Sequence, residues 1–161
     1  IISDNKAVVQ VVETNFGENP DVNYLQNAIN KELTKTGFKL VEEANLILGN
    51  GSNLNSYTPR KIKSEVAHND IDFVILGDIS ANQCNKIQDG FYFAWADGII
   101  KLVDLSNMEV LGTYQYRGKG AGNSKLNAGT KSIKKTSDIL VGRLIEGLGM
   151  PNNIDKKDSR N

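Results

Sequence analysis

With 161 residues, 39% of them apolar and 24% charged, the chain has the size and composition of one well-buried globular domain. Lysine and arginine together number 19, as do aspartate and glutamate, which argues against a surface built throughout for nucleic acid. No run approaches the roughly 18 apolar residues that span a bilayer, and a single cysteine, Cys84, excludes an intramolecular disulfide and an all-cysteine metal site.

The opening Ile1-Ile2-Ser3 has no initiator methionine, basic leader or cleavage pattern, so it reads as a trimmed or mature start. Lys6 to Thr14 is rich in β-branched residues and nearly continuous in apolar character, the pattern of a strand covered on both faces. Asn19-Pro20-Asp21 supplies a cap, a first-turn proline and an acid, and Gly37 supplies the stop, with Val22, Leu25, Ile29 and Leu33 on one helical face. Phe38 to Val41 is a short second strand. Glu42 to Thr58, rich in Asn, Gly and Ser, reads as a mobile connection with Asn50-Gly51 as its tight turn. Thr58-Pro59 restarts a helix through about His68, with Ile62 and Val66 facing inward. Ile71 to Ile79 is a third, central strand, and Ser80 to Asp89 a loop after it.

A long strand follows, in which Phe91, Phe93 and Trp95 alternate with Tyr92, Ala94 and Ala96; the aromatic alternation predicts core packing, and Asp97-Gly98 a bulge or bend. Past a turn at Ser106 to Glu109, Val110 to Arg117 is its hairpin partner. From Lys125 the period lengthens to between three and four, placing Leu126, Ile133, Leu140, Leu144 and Leu148 on one stripe until Met150-Pro151 ends the helix. The order β-α-β-α-β-β-β-α predicts an α/β chain of the mixed α+β kind, with a single mixed sheet of about five strands and the helices packed on it. One globular domain over residues 1–150 and a polar flexible tail over 151–161 are expected.

Chemistry is sparse. Gly118 to Ser124, Gly-Lys-Gly-Ala-Gly-Asn-Ser, stands between a strand and a helix, where backbone amides can cradle phosphate. It lacks the Lys-Ser/Thr ending of a P-loop, and Asn123 stands where the dinucleotide spacing needs glycine, so it reads as a flexible connection with Asn123 or Ser124 as helix cap. His68, Asp70 and Asp72 with Cys84 are the candidate metal ligands. We read His68 instead as meeting a helix C-terminus, the two acids as turn or surface hydrogen-bonders, and Cys84 as a plain loop or core residue. No catalytic residue, cofactor or metal is expected.

Between Arg117 and Arg143 seven basic residues face one acid, Asp138, so the last helix presents a cationic face. Lys131, Lys134 and Lys135 on that face, and Ile139, Val141 and Ile145 around other sides of the helix, are the candidate partner-binding residues. The three apolar ones serve either their own core or a neighbour.

The local wording resembles a group of bacterial envelope domains: the curli secretion-channel subunit, the lipoprotein activators of penicillin-binding proteins, the middle domain of the flagellar assembly T protein, and the amino-terminal domain of TolB. The residues that carry it are Lys6 to Thr14, Leu25 to Val41, Ile71-Asp-Phe-Val-Ile-Leu-Gly77, Lys101-Leu-Val-Asp104 with Glu109-Val-Leu111, and Gly118 to Ser124. The turn departs from the group's Thr-Gly in having Asn107-Met108, and the last helix carries Lys and Ser where alanines are usual. The resemblance implies a non-enzymatic periplasmic or outer-membrane-associated module that binds another envelope protein or itself. It would meet a membrane only through an N-terminal lipid anchor outside this chain. The alternative is a small phosphate- or nucleotide-binding enzyme or sensor using Gly118 to Ser124. A nucleic-acid domain using Lys125, Lys131, Lys134 and Lys135 is a third class, and nucleic acid is not the expected partner.

Overall fold

The computed structural model describes residues 5–43, 47–48, 53–67 and 70–149. The expected turn at Asn50-Gly51, His68, the stop at Met150-Pro151 and the tail lie outside the described residues. The elements are β1 (Lys6–Asn15), α1 (Tyr24–Lys35), β2 (Lys39–Leu40), a 3-10 turn at Leu54–Ser56, α2 (Pro59–Glu65), β3 (Phe73–Gln88), β4 (Phe91–Asp104), β5 (Glu109–Gly122) and α3 (Lys125–Gly147). They form one five-stranded mixed sheet ordered β2-β1-β3-β4-β5, as the periodicity predicts. β1 runs parallel to β2 and β3, and the β3–β4–β5 pairs are antiparallel.

Both sheet faces are covered, though unequally. On one, α1 and α3 bury Leu25, Ile29, Leu33, Ile133, Leu140 and Leu144 against Ile75, Ile79, Ala96 and Ile100. On the other, Ile62 of α2 with Ile47, Leu48, Leu54 and Tyr57 covers Val8, Val74, Leu76 and Val103. The stretch expected to be a mobile connection therefore contributes four buried side chains, because the apolar half of β1 and β3 needs a lid. Lys101 helps to fasten that lid: its buried ammonium donates to the carbonyls of Leu54 at 3.1 Å and Tyr57 at 2.5 Å.

Helix ends follow local chemistry. Gly37, with φ of 92°, lets Phe38 N donate to Leu33 O, and the reversal stops α1 where expected. Its start is later than the proline signal suggests. Asn23 makes no side-chain cap, and Glu13 of β1 instead accepts from the N–H groups of Leu25 and Gln26. Val22 accordingly falls outside the helix and is exposed. Thr58 and Ser124 cap α2 and α3 by accepting from Lys61 N and Asn127 N.

Four expectations about the hairpins are corrected. Residues 80–89 are not a loop: β3 runs to Gln88, because its polar second half keeps the ladder with β4 after the apolar signal ends. Asp89-Gly90, with Gly90 at φ 75°, is the turn. Gly98 is not a bulge, since its register to Ile79 and Tyr116 is regular. The irregularities fall at Ala81/Gln83, Lys86/Gln88 and Leu102/Val103. Gly98 is small because α3 crosses it: a Cβ there would stand 2.6 Å from Leu140. The aromatic side of β4 is not core either; Ala94 and Ala96 face α3, leaving Phe91, Phe93 and Trp95 on the opposite surface.

The fourth concerns the glycine-rich segment, which is strand rather than flexible connection. Gly118, Gly120 and Gly122 pair with Ala96, Ala94 and Tyr92 and lie on the helix side. A Cβ on Gly120 would reach Ser132 N at 2.3 Å, and one on Gly122 would reach Ala128 N at 2.5 Å. The buried face of α3 answers with Ala128, Ser132 and Thr136, so helix and strand backbones meet with almost no side chain between them.

Candidate functional site

Two surfaces among the described residues are candidates to carry function. The first is the outer ridge of α3, where Lys131, Lys134 and Lys135 are exposed at spacings that place them together. Lys125, at the start of the helix, rests over the Phe16 ring at 4.6 Å. The apolar candidates do not join this ridge. Val141 and Ile145 are buried in the core with Leu33 and Leu144, because α1 packs on that side of α3; only Ile139 is half-buried. Leu126, expected on the core stripe, is exposed.

The second surface was not singled out from the sequence. The lid of α2 and the 3-10 turn ends short of the β3–β4 hairpin, so the far half of that sheet face is open. Cross-strand rows read Val12-Asp78-Ile99-Gln115, then Thr14-Ser80-Asp97-Arg117, then Gln83-Trp95-Lys119, then Asn85-Phe93-Ala121. Asp78, Ile99 and Gln115 of the first row and Ser80, Asp97 and Arg117 of the second line a groove of about 580 Å³ together with Asn82. Next to it, Phe91 and Phe93 meet edge to face at 5.1 Å, and the Lys119 ammonium stands 4.1 Å from the Phe93 centroid and 5.8 Å from that of Trp95. An exposed cation–π contact of this kind is worth about 0.5–1 kcal/mol, so Lys119 is held there weakly. The signal for this face lay in the alternation of Asp78, Ser80 and Asn82 with Ile79 and Ala81, which continues the strand past Ile79.

The groove's charges are held differently. Burial would raise the Asp97 carboxyl, but hydrogen bonds from Arg117 and Asn82 and the charge of Arg117 bring it below its ordinary value. Arg117 stands 2.5 Å from Asp97 and also donates to Gln83. Burial raises Asp78, with no bond or charge among the described residues to offset it. Burial likewise lowers Lys101 on the row above.

At the sequence-flagged chemical positions the structure shows ordinary bonding. Asp72 accepts from Lys6 N at 2.9 Å, and Asp70 pairs with the Lys6 ammonium. No cluster of three metal-ligating side chains occurs among the described residues. Cys84 is a half-buried strand residue opposite Ala94. Over Gly118, Gly120 and Gly122 the backbone of α3 fills the face on which a phosphate would sit, which removes the cradle the alternative reading required.

Fold and surface define a mixed α/β domain with a helix-covered face and a half-open one. The chain belongs to the family described as TP0693-like lipoprotein, C-terminal domain, whose pattern it matches over residues 6–145. A protein of Chlamydia trachomatis, CT253, has the same fold, with a TM-score of 0.54 over 88% of this chain and 95% of its own at 9% identity. TolB from Acinetobacter baumannii aligns over 92% of this chain and 29% of its own, at 17% identity and a TM-score of 0.47. Lipoprotein GNA1162 from Neisseria meningitidis aligns over 91% and 98%, at 16% identity and a TM-score of 0.46. No curated protein matches the chain. Among the described residues no helix is long and apolar enough to cross a membrane.

Proposed function

We propose that this domain is a non-enzymatic contact module of the bacterial cell envelope, and that the lysine ridge of α3 seats an acidic surface of another envelope protein. The lipoprotein family to which the chain belongs supports the envelope setting. It also supports a periplasmic placement in which a lipid on the full-length protein tethers the domain to the outer membrane. The observation that carries the contact reading is the exposure of Lys131, Lys134 and Lys135 on a helix whose other sides are locked into the core. Like charges one turn apart cost about 0.2–0.5 kcal/mol per pair. A rigid ridge that bears such a cost is suited to an anionic partner.

A photo-crosslinker at position 135 in living cells, with one at Asn27 on the exposed side of α1 as control, tests this. A discrete adduct from position 135 alone, lost in Lys131→Glu/Lys134→Glu, is the expected result. An adduct of twice the chain's mass would identify the partner as a second copy. Equal labelling from both positions, or retention of nucleic acid near physiological salt that the double variant abolishes, would overturn the reading.

A further inference from the structure

The open half of the sheet face has a composition that the lysine ridge does not explain. Its groove is walled by side chains that hydrogen-bond in fixed planes, Asn82, Asp97, Gln115 and Arg117, above an apolar floor at Ile99. Rings continue the same surface through Trp95, Phe93 and Phe91, and Phe91 is 39% exposed. The charges cancel locally. Arg117 neutralises Asp97 in direct contact, and the remaining charges are one of each sign, Asp78 in the groove and Lys119 over the rings, since the Lys101 ammonium is taken up by the lid carbonyls. A nucleic acid or an anionic lipid surface would require an excess of positive charge here, and a basic peptide an excess of negative charge. The complement of a surface of amides, carboxylates, cations and flat rings without net charge is an uncharged ligand dense in hydroxyls, with apolar C–H faces to lay on the rings.

We propose that this face binds a neutral glycan chain, one sugar ring lying on Trp95 and the next directing its hydroxyls into the groove at Asp78, Asn82 and Gln115. Asp78 supplies the acceptor: a half-buried carboxylate lining the groove, with no hydrogen bond or ion pair among the described residues, gains by taking a hydroxyl hydrogen bond. Lys119, held loosely over the rings, swings aside and donates to the sugar's edge. The site lies on the sheet face opposite α3, so glycan and protein partner can be held together.

Trp95 is the chain's one tryptophan, so its emission reports this face alone. The full chain is titrated with neutral tetrasaccharides of β-linked N-acetylglucosamine, β-linked glucose and α-linked glucose, and with tetragalacturonate as the charged control. The expected result is a saturable emission change for at least one neutral chain, with a dissociation constant of about 1 mM or tighter and no dependence on salt. Asn82→Ala and Gln115→Ala, checked for native circular dichroism, each weaken it by about fivefold or more, a loss expected for removed hydrogen bonds, while Lys134→Glu leaves it unchanged. If the alanine variants fail to fold, Trp95→Phe read by backbone amide shifts of β3 and β4 replaces them, with weakened binding expected. No saturable response to any neutral chain, tighter salt-dependent binding of tetragalacturonate, or full affinity in the variants would overturn the proposal. Loss of crosslinking at position 135 would not bear on it.

Discussion

At the residue scale Glu13 has the most to reveal. Its carboxylate, 6% exposed on β1, replaces the missing side-chain cap of α1 and meets the positive end of the helix. Burial raises it above its ordinary 4.5, and the backbone N–H bonds only partly offset this. A raised folded value means that its contribution is complete below 4.5 and is lost as pH rises through the folded value. Asp78 acts with the same sign, whereas Asp97, lowered, contributes above 3.8 and loses its share as pH falls through its depressed value. The difference in urea stability between the wild type and Glu13→Gln should therefore shift steadily between pH 4.5 and neutrality, and a flat difference would show that Glu13 titrates normally. Val141→Asp buries a carboxyl among Leu33, Leu140 and Leu144 and should unfold the chain, at a cost of several kcal/mol. Lys134→Glu/Lys135→Glu should change stability by less than about 0.5 kcal/mol per site in the same denaturation assay.

At the scale of elements, the β5–α3 contact makes the sharpest prediction. A side chain at Gly120 meets backbone atoms of Lys131 and Ser132, which cannot step aside as a flexible tip would. Gly120→Val should cost about 3 kcal/mol or more, while Gly90→Ala, with nothing within 4 Å, should cost only its left-handed strain, about 1 kcal/mol; thermal melts separate the two. Lys101→Met should strand the carbonyls of Leu54 and Tyr57 and loosen the lid by about 1–3 kcal/mol, with faster hydrogen exchange near Tyr57 as the local sign. The glycine spacing was visible in sequence, but its meaning was not. Alternate glycines serve a strand pressed on a helix as readily as a loop around phosphate, and the choice depends on a helix that the local pattern does not place. The aromatic alternation on β4 failed similarly: period two states that two faces differ, and only the position of α3 states which is buried.

At the scale of the molecule, element order and sheet class were legible because α1 and the β4–β5 pair carry strong periodicity and β1 is a nearly continuous apolar, β-branched run. The open groove was not, since its polar positions on β3 look like a loop once the apolar partners stop. Of the ridge, the lysines were legible by charge alone, while Val141 and Ile145 stayed ambiguous until α1 took its place beside them. The parallel register of β1 with β3 has a kinetic consequence. Ala7 finds Phe73 across 66 intervening steps of chain, a closure costing about 4 kcal/mol by the logarithmic loop law, whereas β3 and β4 close through Asp89-Gly90 alone. The hairpins and α3 should therefore assemble first, and β1 should slot between β2 and β3 late, after crossing the rate-limiting barrier. Conservative truncations such as Val8→Ala should speed unfolding and leave refolding unchanged, while Ile100→Val should slow refolding. On the ribosome β1 emerges well before its partner and is thus a passenger until β3 follows it, and its apolar length has to be kept from other chains in the interval.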